Sequence, residues 1–229
     1  MILLNKFVSR SLSYMSKILD NLSELLFKNS YKFYPWTALN KIDFKIAKEL
    51  PDLLSKDTFY IEVGANNGIS QSNTFFLEAI FGAKGLLIEA SPSNYEKCIK
   101  FRSKKNIFEH CALVSFDYKL PFLELIYSDL MTIPTNTKSL NPENHAKDGL
   151  KFMKGNNYKF FAPAKTLSEV LNNKGINIVD LLCIDIEGYE IEALKGIKFD
   201  SFLIKNIVIE TRNINEIKKY LLDKGYSLK

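Results

Sequence analysis

Five short apolar runs, separated by stretches of helical pattern, constrain this chain more than any other feature of it. They are Phe59–Val63, Gly85–Glu89, Ile107–Val114, Val179–Asp185 and Ile207–Glu210. Each is rich in Ile, Val, Leu or Phe and mostly does not alternate with polar residues, so strands formed there must be covered on both faces. Helical candidates fall between them: Asn73–Phe81, Pro92–Phe101 with a proline in its first turn, Thr166–Asn173 ended by Gly175, Glu187–Leu194 ended by Gly196, and Asn215–Leu222 ended by Gly225. Strand–helix alternation at this period predicts an α/β fold built on a doubly wound, mostly parallel sheet.

The 229 residues are 46% hydrophobic and 25% charged, which excludes disordered and fibrous chains. A chain of this length buries about 70% of its unfolded surface and needs no metal or disulfide staple. We expect two parts: residues 1–55 as an N-terminal helical extension and linker, and residues 56–229 as the main domain. In the extension, Leu4, Val8, Met15, Ile18, Leu22 and Leu25 recur at helical spacing with Lys6, Arg10 and Lys17 between them. That pattern suits packing on the chain's own domain, a homodimer through residues 1–30, or peripheral contact with an anionic membrane. It lacks the contiguous apolar core and cleavage site of a secretory signal. Within the main domain, residues 115–165 break the rhythm: Tyr118–Tyr127 suits an extra strand, and a polar stretch of about 30 residues follows, longer than a simple connection requires. We expect an insertion there that acts as a substrate lid.

Three dispersed cysteines, Cys98, Cys111 and Cys183, form no CxxC pair and suit buried thiols in a reducing, cytoplasmic setting. With only two histidines, His110 and His145, the spacings of zinc fingers and HExxH sites are impossible, and no metal site is expected. No apolar run approaches the roughly 18 residues that span a bilayer. The net charge of +5 is dispersed along the chain, without the basic stripe a nucleic-acid backbone demands.

The richest chemical signal is Phe59-Tyr-Ile-Glu-Val-Gly-Ala-Asn-Asn-Gly-Ile-Ser70, a strand ending in an acid and then a turn flanked by Gly64 and Gly68. Ligands of open parallel sheets bind beyond the carboxyl ends of the strands, where this turn lies. Its G-x-x-x-G spacing matches neither the dinucleotide fingerprint nor the phosphate loop, which also needs a lysine that is absent here. An acid in place of a phosphate cradle suits a cationic ligand, and S-adenosylmethionine carries an ammonium and a sulfonium that Glu62 would meet directly or through water. Glu89 closes the next strand in Gly85-Leu-Leu-Ile-Glu-Ala-Ser-Pro92, where nucleoside-binding folds place an acid on ribose hydroxyls. Asp185 follows four apolar residues in Val179-Asp-Leu-Leu-Cys-Ile-Asp-Ile-Glu-Gly-Tyr-Glu190, so an ionised carboxylate there needs a partner or a function. Glu187 and Glu190 suit the first turn of the helix that follows.

Together, Ile61-Glu-Val-Gly-Ala-Asn-Asn-Gly68, Gly85-Leu-Leu-Ile-Glu-Ala-Ser-Pro92 and Ile184-Asp-Ile-Glu-Gly-Tyr-Glu-Ile-Glu-Ala-Leu-Lys-Gly196 resemble the FkbM family of S-adenosylmethionine-dependent methyltransferases, over about residues 57–226. The resemblance implies a Rossmann-like class I methyltransferase fold, with S-adenosyl-L-methionine as cofactor and O-methylation of a hydroxyl on a sugar, glycan or secondary metabolite. It places Glu62, Gly64, Ala65, Asn66, Asn67 and Gly68 around the cofactor's amino-acid end and Glu89, with Ala90, at its ribose. Cys111 and Ala112 are small enough to line an adenine pocket. Asp185, Glu187 and Glu210 are the candidate catalytic acids, with Asp185 favoured as base, or as a group that orients the substrate or holds a divalent cation; His145 is a further candidate base. His110, mid-strand, reads as a satisfied core histidine, and Arg212 either binds an anionic substrate group or pairs with Glu210. The wider fold usually finishes on an antiparallel strand pair, whereas this chain stops at Gly225-Tyr-Ser-Leu-Lys229, so one edge strand is missing, lost by truncation or supplied by Tyr118–Tyr127. Rival readings are a nucleic-acid methyltransferase, an NAD-dependent oxidoreductase, which needs a glycine where Asn66 stands, and an inactive S-adenosylmethionine-binding module.

Overall fold

A computed structural model describes residues 34–137, 140–151 and 156–228. The N-terminal helix expected over residues 1–30 lies outside them. Five strands form the central sheet: β1 (Phe59–Val63), β2 (Lys84–Glu89), β3 (Ile107–His110), β9 (Leu181–Ile184) and β11 (Ile207–Ile209), in the order β11-β9-β1-β2-β3. Every pairing among them is parallel. The strand order runs outward from β1 in both directions, so the crevice between β1 and β9 is the switch point at which such sheets bind ligands. This is the Rossmann-like, doubly wound arrangement.

Alternation along the strands distributes the apolar residues to two faces. Ile61, Val63, Leu86, Ile88, Leu182 and Ile184 face one way, onto Leu167, Val170 and Leu171 of α5 (Leu167–Lys174) and Ile217 of α7 (Ile214–Leu222). Tyr60, Leu181 and Cys183 face the other way, onto Phe76 and Leu77 of α2 (Phe75–Phe81) and Ile46 of α1 (Ile42–Glu49). Trp36 stacks on Phe44 and Phe76, with ring centroids 4.0 and 5.0 Å away, so residues 36–54 share a core with the sheet. Helix ends follow local chemistry. Ser91 caps α3 (Pro92–Phe101) ahead of its proline, Thr166 accepts from Glu169 N at 3.1 Å to start α5, and Gly175 ends α5 at φ 65°.

The chain leaves the central sheet at Cys111, which divides the run expected as one strand over Ile107–Val114. Its second part, β4 (Ala112–Leu113), pairs in parallel with β7 (Tyr158–Lys165). β5 (Phe122–Tyr127) is the extra strand expected near Tyr118–Tyr127, but it does not extend the central sheet. It pairs antiparallel with β7 and with β6 (Ile133–Pro134), making a second sheet in the order β4-β7-β5-β6. Polar residues 141–149 form α4 (Pro142–Gly149), capped by Asn141, whose side chain accepts from Asn144 N at 3.0 Å. The run Val179–Asp185 is also divided. Ile178–Val179 is β8 and pairs with β10 (Leu203–Ile204), while β9 begins at Leu181. No helix among the described residues is long and apolar enough to cross a membrane. All three cysteines are buried and free.

Candidate active site

β1 ends in the turn Gly64–Gly68. Gly64 sits at φ 80°, and a Cβ on it would lie 2.0 Å from the carbonyl oxygen of Asp185, so only glycine lets the ends of β1 and β9 approach this closely. Asn67 Oδ1 accepts from Ile69 N and Ser70 N at 3.0 and 2.8 Å, closing the turn from within. Asn67 and Gly68 therefore shape the turn from behind, while Gly64, Ala65 and Asn66 face the cavity described below. Gly68 at φ 84° is backed by Arg102 Cγ, 2.7 Å from where a Cβ would stand.

Glu62 is buried and its oxygens are already engaged. It accepts from Ser72 Oγ at 2.9 Å, Asn73 N at 2.8 Å and Thr74 Oγ1 at 2.6 Å, and its Oε2 lies 3.2 Å from Arg102 Nη1. The guanidinium of Arg102 is fully buried. It also donates to Gly68 O at 2.8 Å, Tyr60 Oη at 2.7 Å and Glu78 Oε2 at 2.7 Å, joining β1, the turn and α2 around one charge. Sequence reasoning leaves Glu62 free for a ligand's ammonium. The structure supplies a resident cation instead, and Glu62 holds the turn in place. Arg102 follows Phe101 in a basic stretch with no distinguishing spacing, so no local signal marks it.

Glu89, at the end of β2, is 7% exposed and lines the cavity. Its Oε2 accepts from Asn66 N at 2.7 Å and its Oε1 from Ser91 N at 2.8 Å, Ala90 N is a third backbone donor to it, and the carboxylate keeps acceptor capacity on its cavity side. Burial pushes its pKa up to about 7. Asp185, just past β9, carries a pKa of about 8, raised first by burial and then by Glu210, Glu187, Glu190 and Glu62. These are the conditions under which a carboxyl holds a proton at neutral pH and releases it when a cation arrives.

Glu187 departs from expectation, because it does not open a helix. It stands at φ 52° followed by Gly188 at φ 91°, and helix α6 (Glu190–Leu194) begins only after Glu190 Oε1 has accepted from Gly188 N at 2.7 Å. The left-handed turn directs the Glu187 carboxylate to Arg212 Nη2 at 3.6 Å and His145 Nε2 at 2.9 Å. Arg212 thus meets Glu187, where pairing with Glu210 was one expectation. Burial lifts the pKa of Glu187 to about 7, with Arg212 opposing. His110 is satisfied as expected: Nε2 is 3.0 Å from Ala90 O and the ring stacks on Tyr95.

One cavity of about 370 Å³ gathers most of the expected residues: Glu62, Gly64, Ala65 and Asn66 from the turn, Glu89 and Ala90 after β2, Cys111 and Ala112 at the junction of the two sheets, and Asp185, Glu187 and Glu210 at the ends of β9 and β11. Its volume is that of a small-molecule site. The insertion supplies the opposite wall through Leu123, Leu125 and Asp129–Thr132. Six carboxylates line it (Glu62, Glu89, Asp129, Asp185, Glu187 and Glu210) against one cationic side chain, Arg212, and the Glu62 charge is met from behind by Arg102. Among the described residues no group of three or more His, Cys, Asp or Glu side chains has the geometry to hold a metal ion.

A parallel five-stranded sheet with an acid-lined crevice at its switch point and a glycine turn free of any phosphate-binding lysine is a Rossmann-like arrangement around a small-molecule cavity. The methyltransferase FkbM domain model matches residues 62–228, and the chain belongs to that family of S-adenosylmethionine-dependent methyltransferases. It is also 26% identical over 198 residues, 76% of each chain, to "Methyltransferase sdnD" of Sordaria araneosa. Family membership sets aside the oxidoreductase and inactive-module readings.

Proposed function

We propose that this chain binds S-adenosylmethionine in the β1–β9 crevice and transfers its methyl group to a hydroxyl of a sugar, glycan or other small hydroxylated metabolite. The observation that carries this reading is Asp185: a carboxyl drawn largely out of water and pressed on by other acids, at the end of the strand next to the glycine turn and facing a cavity lined by further carboxylates. A cationic ligand relieves that arrangement, whereas an anionic or dinucleotide ligand aggravates it. When bound, S-adenosylmethionine supplies an electrophilic methyl group on a sulfonium.

This chain's residues do the rest. The acceptor capacity Glu89 keeps on its cavity side suits a ribose hydroxyl, and Ala90, Cys111 and Ala112 leave room for a flat base beside it. Asp185, ionised once the cationic cofactor is bound, accepts the proton of the acceptor hydroxyl, with Glu187 and Glu210 as its neighbours in the cluster. The insertion wall, Leu123 to Thr132, orients the acceptor and excludes water, and alignment of this kind accounts for about 7–11 kcal/mol of barrier in well-oriented reactions.

The test is transfer of label from methyl-tritiated S-adenosylmethionine to a panel of methyl glycosides, phenols and aliphatic alcohols. The reading requires alkali-stable label, as in a methyl ether. Label that alkali removes, as from a carboxyl ester, or label confined to RNA or DNA, overturns it. Net charge is modest and dispersed, and no observation favours the nucleic-acid reading.

A further inference from the structure

His145 stands apart from everything the family assignment explains. It lies on α4 inside the insertion, its side chain is 5% exposed, and its Nε2 is 2.9 Å from Glu187 Oε2, but off hydrogen-bonding geometry, so the nitrogen makes no hydrogen bond. A buried ring nitrogen left without a hydrogen bond is costly unless another state of the site uses it. Its neighbour is equally unusual. Glu187 holds a left-handed backbone, φ 52°, that a glutamate rarely adopts and that costs of the order of 1–3 kcal/mol. The helix it was expected to open starts three residues later, at Glu190. Two costs therefore meet at one contact, between a polar helix of the insertion and the acid cluster of the crevice.

We propose that His145 is a positioning residue for Glu187: through this contact the insertion sets the orientation and proton occupancy of a cavity-lining carboxylate of the methyl-transfer site. The role rests on the methyltransferase reading above, while the contact itself does not. The groups facing the pair are Arg212, 3.6 Å from the same Glu187 oxygen, Asp148 on the histidine's own helix, and Glu190, Glu210 and Asp185 on the crevice side. Burial and then Arg212 lower the proton affinity of the imidazole, while burial raises that of Glu187. At 2.9 Å the two groups are close enough for one proton to serve both. With the proton on His145 the contact is an ion pair. With the proton on Glu187, a small rotation of the carboxyl lets it donate to the neutral ring. Either state fastens α4 over the crevice and keeps Glu187 turned toward it.

The chain has only two histidines, His110 and His145, so the test needs no acceptor. The imidazole nitrogens of ¹⁵N-histidine-labelled full-length protein are titrated by NMR, with His110→Gln assigning the signals. Glu187→Gln removes the carboxylate beside His145, and the protonated fraction of His145 at its wild-type midpoint is expected to fall about threefold while His110 does not move. From the other side, His145→Gln in protein labelled with ¹³C at the Glu carboxyls is expected to shift the Glu187 titration, with His145→Asn as the second variant should glutamine unfold the chain. Titrations of both residues that ignore the partner substitution overturn the proposal, because a histidine that merely fills the core leaves the Glu187 curve where it was. Calorimetry with S-adenosylmethionine on the same samples separates the two readings. Absence of binding retires the proposed function and leaves the His145–Glu187 coupling to stand or fall on its own curves.

Discussion

Replacing Asp185 with asparagine tests the electrostatics of the crevice without requiring any acceptor. Asp185 titrates at about 8 in the folded chain against an ordinary value of 3.8. The folded state therefore holds a proton that the unfolded chain has released, and stability falls as pH rises between about 4 and 8, by up to about 1.4 kcal/mol per pH unit. Integrated over that window the penalty is about 5 kcal/mol above pH 8, and relaxation of the cluster and water entry bring the expected range to about 2–5 kcal/mol. The asparagine side chain carries no charge and escapes the penalty. Urea unfolding of ligand-free protein at pH 5 and pH 8.5 is the assay. The Asp185→Asn variant is expected to be more stable than wild type by no more than about 1.7 kcal/mol at pH 5 and by about 2–5 kcal/mol at pH 8.5, the gap widening with pH, with affinity for S-adenosylmethionine reduced. Glu187 and Glu89 also titrate at about 7, so both proteins retain some slope, and the difference between them is the informative quantity. A constant difference across the range refutes the claim that an unneutralised carboxyl is held away from water at the end of β9.

Three further substitutions probe the parts around it. Glu89→Ala removes the acceptor proposed for the ribose, and the one that holds Asn66 N and Ser91 N, and S-adenosylmethionine affinity by calorimetry is expected to fall about 10- to 100-fold, at about 1.5–3 kcal/mol per charged hydrogen bond. Gly64→Ala drives a Cβ to 2.0 Å from Asp185 O on a left-handed backbone, and both melting temperature and ligand affinity are expected to drop, whereas Gly82→Ala, with open space around its Cβ, should leave affinity unchanged. Arg102→Met strands Glu62 and Glu78 without their cation, and chemical denaturation is expected to show a loss of about 3–5 kcal/mol.

The central sheet was legible because β1, β2, β9 and β11 are mostly apolar runs, and β3, Ile-Phe-Glu-His, opens the longer apolar run Ile107–Val114, a signal that survives without knowledge of its neighbours. Phe59–Val63 appears as expected, and the strand expected at Gly85–Glu89 starts one residue earlier, at Lys84. The acids at the strand ends were legible for the same reason, since Glu62, Glu89 and Asp185 interrupt or close such runs. Of the insertion, only β5 was legible, as the apolar run within Tyr118–Tyr127. β7 carries Pro163 and exposed Phe161, its strand state depends on the distant partner β5, and proline argues against a strand when only the local sequence is available. α4 is a polar helix with almost no apolar stripe, and its one local mark was Asn141-Pro142, a cap followed by a first-turn proline. The roles of Arg102 and His145 depend on contacts 40 or more residues away, with Glu62 in one case and Glu187 in the other, and these exist only once the sheet has formed.

Calorimetric titration of the full chain with S-adenosylmethionine and, separately, with NAD bears most directly on the account, when run near pH 7 in two buffers of different ionisation enthalpy. The account predicts micromolar binding of the first ligand, with protons released as Asp185 and its neighbours ionise against a cation, and no binding of the second. Heat that shows no proton release, or a crevice that takes NAD and ignores S-adenosylmethionine, contradicts it.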